Sequence, residues 1–431
     1  MNDRQLAFKI LNKIERDKAY SNLTLDSYLE EHKNEVNSSA FVTALVYGVI
    51  ERKITLDFVL SGYLSQPIKK LKPEVLIILR MGTYQLKFMD KIPDSAVVNE
   101  SVNLTKNNGC AFASGLVNSV LRKIAKNDII YPNTDDKISD ISIKYSCPKE
   151  LVQLFCDDYG IENAEGILSH SLGRTNVNVR VNTLKTDLDS LIERLEKSSV
   201  ECKICEEVEN HISIKNFGAV EKTDEYKEGL FHVQDISSAL CVKALELSRN
   251  MTLIDVCSAP GGKAFTAAQY MENKGKIYAF DLYGQRVSLI AKGAERLGID
   301  IIEAKVGDAS VLNKDLINSA DRVLSDVPCS GLGVIGRKPE IRYKDLDFID
   351  KLTDLQYNIL TNASKYVKEN GLLVYSTCSL NKKENECVCD RFLSSHNDFE
   401  KHKEYRTLMP HINGTDGFFI AVFRRKHFGK N

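Results

Sequence analysis

The sequence predicts a multidomain chain: an all-α first part, a small α+β middle and an α/β last part built on a parallel sheet. Three observations carry this. Apolar residues recur at helical spacing from residue 1 to about 130, without strand-like runs. The pattern mixes from about 140 to 230. From about 250 onward, short apolar runs ending in small or acidic residues alternate with helical segments.

The elements follow in order. In QLAFKILNKIERD, Leu6, Ile10, Leu11 and Ile14 share one helical face. AFVTALVYGVIERK and ITLDFVLSGYL repeat that habit, and EVLIILRMGTYQLKFM is apolar enough for a central helix. Pro93-Asp94 opens another helix through AVVNESVNLTKN, and GLVNSVLRKIAK is the last, ending in basic residues. YPNTDDK, from Tyr131 to Lys137, is a polar break with a proline. KELVQLFCDDYG and LDSLIERLEKS then read as helices around the alternating NVNVRVN strand. Beyond a soft boundary near 230, MTLIDVC, GKIYAFDL, DIIEAKVGD, DRVLSDVP and GLLVYSTCS read as strands. KAFTAAQYM, RVSLIAKGAERL and FIDKLTDLQYNILTNASKYV are helices between them, so the connections are βαβ crossovers. GFFIAVFRRK alternates weakly and is expected as an edge strand. The expected domains are therefore 1–135, 140–230 and 231–431.

Composition narrows the classes. The 431 residues are 43% hydrophobic and 27% charged, ordinary for two or three globular cores. Net charge is −1, so no global field attracts a polyanion. Residues 1–131 carry 18 Lys+Arg against 14 Asp+Glu, 18 − 14 = +4, which permits nucleic-acid contact there. No run of about 18 apolar residues suggests a membrane span, and MNDRQLAFKI lacks a signal-peptide pattern. Eleven cysteines without a secretion signal imply free thiols in a reducing, cytoplasmic compartment. The one CxxC, Cys202–Cys205, lacks a second pair, so strand cysteines are expected there and no metal.

CSAPGGKA, Cys257 to Ala264, follows the first of the later strands. Glycines at a strand-to-helix turn admit a ligand close to backbone amides. A P-loop needs Gly where Cys257 stands and Ser or Thr where Ala264 stands; a dinucleotide fingerprint needs GxGxxG, and only Gly261-Gly262 is present. Asp281 ends the next strand 19 positions after Gly262, the offset at which an acid binds ribose hydroxyls. Asp308 ends the third, where it can face an adenine edge, and Asp326 ends the fourth. A glycine turn with successive strand-end acids suits an adenosine ligand without phosphates, such as S-adenosylmethionine, although a single such acid is often only a helix cap. Two cysteines, Cys329 in SDVPCSG and Cys378 in YSTCSLNKKENE, end neighbouring runs and point into the same crevice. Either is open to reading as packing, metal ligand, nucleophile or helper.

CSAPGGK, DVPCSG with the downstream GVIGRKPEIRY, and YSTCSLNKKENE together resemble the RNA (cytosine-5) methyltransferases of the NOL/NOP/Sun family. LRMGTYQLKFMDKIPDSAVVNESVNLTK and GLVNSVLRKI resemble the NusB-like RNA-binding domain. The resemblance implies a Rossmann-like S-adenosylmethionine-dependent methyltransferase domain behind an all-α NusB-like domain and a small α+β linker. It implies that Cys257, Ser258, Ala259, Pro260, Gly261, Gly262 and Lys263 form the donor loop, with Asp281, Asp308 and Asp326 as further donor contacts. Cys378 matches the nucleophile and Cys329 the cysteine that assists release of methylated product. The chemistry is consistent: carbon 5 of cytosine is too electron-poor to attack a sulfonium until a thiolate adds at carbon 6. Asp326 is placed to stabilise the adduct near nitrogen 3.

The implied partner is small-subunit ribosomal RNA, at the family's cytosine 967, with no obligate protein partner. Lys69, Lys70, Lys72, Arg122 and Lys123 of the helical part, and Arg337, Lys338 and Arg342 after the Cys329 loop, are expected RNA-backbone contacts. Ala264 and Lys382 depart from the family's usual Thr and Pro. A transfer-RNA cytosine-5 methyltransferase shares the catalytic motifs, and a non-catalytic RNA-binding assembly factor is the alternative from another class. The NusB-like part weighs against the first and the two intact thiols against the second.

Overall fold

The computed structural model describes residues 2–17, 21–173, 176–215 and 220–427. They form two compact units, Met1–Gly173 with Ile335–Lys344, and Arg174–Val334 with Asp345–Asn431.

The first unit is helical. Asp3–Asp17, Ser39–Glu51, Lys53–Ser61, Pro73–Phe88, Asp94–Asn107 and Ser114–Lys126 are the helices expected from periodicity. Leu6, Ile10 and Leu11 are fully buried in one core with Ile77, Ile78 and Leu79 of the Pro73–Phe88 helix. Pro73 fits the first helical turn because it lacks only an N–H that would be orphaned anyway. Gly82 of that helix faces Leu121; a Cβ there would come within 2.6 Å of the leucine, so glycine permits the contact. Helices at Lys137–Tyr145, Lys149–Tyr159 and Ile161–His170 complete the run before Gly173.

The short segment Ile335–Lys344 belongs to this helical unit. Its Arg342, expected at the surface against RNA, is only 1% exposed. The guanidinium donates to the carbonyls of Glu51, Tyr145, Ser146, Ser171 and Ile335 at 3.2–3.4 Å. Tyr343 donates its hydroxyl to the Ile50 carbonyl at 2.9 Å. The expectation for Arg342 is therefore corrected. A buried cation is tolerated where carbonyl oxygens replace its water, and here helix ends supply them. Lys338 is exposed and Arg337 half-buried.

The second unit holds two sheets. Strands β1 (Val177–Val181), β2 (Glu201–Ile204), β3 (His211–Lys215) and β4 (Phe231–Val233) form a small antiparallel sheet in the order β2-β3-β1-β4. The helix Leu188–Lys197 covers it with Leu191 and Leu195. The large sheet comprises β5 (Thr252–Asp255), β6 (Lys276–Asp281), β7 (Ile302–Val306), β8 (Ala320–Asp326), β9 (Val367–Thr377), β10 (Phe399–Leu408) and β11 (Phe418–Arg425). Its order is β10-β11-β9-β8-β5-β6-β7, and β9-β8-β5-β6-β7 run parallel.

Both faces of its central strands are covered, which is why β5, β8 and β9 carry continuous apolar runs. Leu253 and Leu324 point into one core with Ala264, Ala267 and Ile290; Ile254 and Val323, one residue away, point into the other with Ile359 and Leu360. The chain leaves β5 toward β6 and β7 on one side and returns to β8 and β9 on the other, so a crevice opens at the carboxyl end of β5. GFFIAVFRRK departs from expectation: β11 lies between β9 and β10, inside the sheet. Six of its residues are buried, and the edge is the charged strand β10.

Candidate active site

The glycine turn after β5 has the geometry its sequence requires. Gly261 sits at φ +107° as the N-cap of the helix Gly262–Tyr270, a conformation open to glycine. A Cβ there would come within 2.4 Å of the Phe265 ring. The Ala259–Pro260 peptide is cis. Ser258 and Gly261 close the turn through a 2.8 Å backbone bond. Cys257 is largely enclosed, and burial pushes its thiol up.

Around this turn the strand-end acids do different things. Asp281 is buried at the end of β6, 3.1 Å from Arg286, and accepts the Tyr283 N–H at 3.2 Å. Asp308 is exposed after β7 and accepts from the backbone and hydroxyl of Ser310 at 2.9 and 2.6 Å. It lies on the wall of a cavity of about 390 Å³ that Val256, Phe280, Val306, Val311 and Leu316 also line. Apolar walls, a rim acid and a glycine cradle suit an adenosine ligand.

Asp326, at the end of β8, binds Lys263 and Ser376, each at 2.7 Å. The Lys263 ammonium also lies 5.3 Å from the Phe418 ring centroid. Burial, the largest influence, works against the Lys263 charge, but Asp326, Cys241 and Asp255 together more than offset it, so the pKa stands above that of a free lysine.

Three residues past Asp326, the two cysteines meet. Cys329 Sγ lies 3.2 Å from Cys378 Sγ, because β8 and β9 are parallel neighbours with Asp326 opposite Ser376. The Cys329 thiol is held well above its usual range, first by the hydrogen bond with Cys378, then by burial and the nearby Glu384 and Asp326. One thiol therefore keeps its proton while it faces the other. Gly333 N–H donates to the Cys378 carbonyl at 2.9 Å and ties the loop after Cys329 to β9.

Two residues of the crevice escape sequence reasoning. Asp255, inside the apolar run MTLIDVC, is buried beneath the glycine turn with neither carboxyl oxygen in a regular hydrogen bond. Burial pushes its acid up to about 7, against the pull of Ser258. Glu384, inside NKKENE, is fully buried where a solvated turn would be expected. A lone acid at the end of an apolar run was the available signal for the first; the second had none. Cys202 lies half-buried on β2 and Cys205 just after it. Among the described residues no group of three or more His, Cys, Asp and Glu stands close enough to hold a metal ion. No described helix is long and apolar enough to cross a membrane.

Comparison with known proteins places this geometry. Residues 242–424 match the model "16S rRNA methyltransferase RsmB/F", residues 1–126 the NusB family, and residues 147–221 an RsmF/B-like ferredoxin-like domain. A Bacillus subtilis protein named "Probable ribosomal RNA small subunit methyltransferase B" is 35% identical over 98% of each chain. A Synechocystis protein of the same name is 34% identical over 98% of this chain and 99% of its own. Among solved structures, the one titled "Crystal Structure of PH0851" superposes with a TM-score of 0.81 at 26% identity, covering 98% of both chains.

Proposed function

The chain belongs to the RsmB/F family of 16S rRNA methyltransferases, and on that premise we propose that it methylates carbon 5 of one cytosine, at family position 967, through a transient bond from Cys378. The observation that carries this reading is the pair of thiols 3.2 Å apart at adjacent parallel strand ends, beside the Lys263–Asp326 pair.

S-adenosylmethionine, bound in the crevice, supplies an electrophilic methyl carbon. Gly261 and Gly262 would let it approach the turn, Asp281 would bind its ribose, and Asp308 would meet the adenine beside the apolar cavity. The rest of Cys257–Lys263 shapes that loop. Cys378 as thiolate adds to carbon 6 of the cytosine, which opens the ring's aromaticity and makes carbon 5 nucleophilic. The Cys329 S–H facing it stabilises the thiolate by donating a hydrogen bond. Negative charge then gathers toward nitrogen 3, where Asp326, which accepts from the Lys263 ammonium at 2.7 Å, would pass on a proton from that ammonium.

Once carbon 5 is substituted, its proton must leave so that the Cys378–carbon 6 bond can break. Consumption of the Cys378 sulfur removes the largest cause that holds the Cys329 proton. Cys329 can then lose its proton to water, and the thiolate so formed would take the carbon 5 proton at the step that needs a base. The target base must leave any stack first, at a cost of about a few kcal/mol, least in a loop. Lys69, Lys70, Lys72, Arg122, Lys123, Arg337 and Lys338 are the proposed backbone contacts. Residues 1–135, 140–230 and 231–431 are the proposed functional divisions, with cytoplasmic small-subunit rRNA as partner.

Bisulfite mapping of small-subunit rRNA from cells with and without the gene tests this. One protected cytosine should disappear with the gene. An unchanged rRNA map, with a transfer-RNA cytosine lost instead, would overturn the substrate.

A further inference from the structure

Glu384 sits in the turn after β9 and is fully buried. Its Oε1 accepts from Ser330 Oγ at 2.5 Å and Ser379 Oγ at 2.7 Å. Its Oε2 accepts the Ser330 N–H at 2.8 Å and Gln356 Nε2 at 3.0 Å. Ser330 directly follows Cys329, and Ser379 directly follows Cys378. One carboxylate therefore grips the residue next to each thiol. Gln356 extends the grip, because its Nε2 also donates to the Pro328 carbonyl at 2.9 Å, on the other side of Cys329. The Glu384 carbonyl is itself held by the Tyr375 hydroxyl at 2.6 Å.

We infer that Glu384 is a positioning residue whose buried carboxylate sets the spacing of the two cysteine loops, an inference that rests on the proposed roles of Cys378 and Cys329. A buried carboxylate is tolerated when donors fill its lone pairs, and four donors converge here. Without Glu384 the loops after β8 and β9 would lose these four bonds and be left with the Ser330–Ser379 hydroxyl bond at 2.9 Å, the thiol contact and the Gly333–Cys378 backbone bond. Misplacement of a reacting group by about 1 Å costs on the order of 100-fold in rate. The anchor thus touches neither substrate nor sulfur, yet fixes where both sulfurs stand.

The distance between the sulfurs is its own ruler. With diamide as oxidant, two thiols give up two protons and two electrons to form a Cys329–Cys378 disulfide, and the diazene is reduced to the hydrazine. The rate, followed by mass spectrometry of the joined peptides in the full chain, reports loop spacing without any catalysis. Glu384→Ala should slow this closure and, in single turnovers on unmodified small-subunit rRNA, slow adduct formation on the order of 100-fold. RNA affinity should hold. Glu384→Gln should recover most of both rates, since an amide oxygen can keep the Ser330 N–H while its NH₂ donates to the two hydroxyls.

Closure at the wild-type rate in Glu384→Ala, or a Gln variant as slow as the Ala one, overturns the inference. Should Glu384→Ala not fold, Ser330→Ala and Ser379→Ala serve instead. The shared acceptor, with the 2.9 Å bond between the two hydroxyls, makes their losses non-additive, and additive losses overturn it equally. Turnover by Cys378→Ala would overturn the nucleophile assignment alone, while the closure rate still judges the anchor.

Discussion

Lys263 donates to Asp326 at 2.7 Å from the helix that begins at the glycine turn. The pair joins the glycine turn to the strand that leads to Cys329. If Asp326 relays that proton toward nitrogen 3, Lys263→Met should lower single-turnover methylation about 100- to 1000-fold, the size of losing one oriented donor. Donor binding, followed by calorimetry, should change far less. A larger loss in donor affinity than in methylation rate would make Lys263 a donor-loop residue only.

The thiol pair predicts opposite fates for its two alanine variants. Cys378→Ala should abolish methylation and form no covalent species with RNA, because the proposed attacking sulfur is gone. Cys329→Ala should let a protein–RNA adduct build up on a denaturing gel, because release is slowed. An adduct that accumulates with Cys378→Ala instead would exchange the two roles.

Arg342 is a stability residue of the helical unit. Arg342→Met removes its bonds to five carbonyls and should cost about 2–4 kcal/mol, read as a lower midpoint in denaturant. The salt dependence of RNA binding should keep its slope, since no phosphate contact is lost. A slope reduced by about 1 would restore Arg342 as an RNA ligand.

Asp255 gives the stability a pH signature. Its acid is pushed up to about 7 from the ordinary 3.8, chiefly by burial. Between those values the folded chain holds a proton that the unfolded chain has released. This group's contribution is therefore full below about pH 4 and is lost as pH rises to about 7. Asp255→Asn should remove that loss, so wild-type Tm should drop relative to the variant across this window. Parallel Tm curves would sink the assignment.

The central parallel strands β5, β8 and β9 were legible because both their faces are buried, and burial writes itself as apolar runs such as Leu253-Ile254 and Val323-Leu324. Strand β10 was not: FEKHKEYRTL is an edge strand with half its residues exposed, so its alternation is drowned by charge. Its cover is also what makes β11 an interior strand, a fact of pairing that GFFIAVFRRK alone does not contain. In the site, motif cysteines and the glycine turn could be read locally. Arg342 and Glu384 could not, because what buries each is a set of donors or acceptors far away in sequence, from Glu51 to Ser171 for one and at Ser330 and Gln356 for the other.

The assignment of Ile335–Lys344 to the helical unit also governs how the gene can be cut. A fragment stopped at residue 173 would keep every α-helix of that unit yet lack the plug that satisfies carbonyls at Glu51, Tyr145, Ser146 and Ser171. Deletion or shuffling of the front half therefore removes a piece of its own interior. A sound truncation would have to splice the ten-residue peptide back through a synthetic linker.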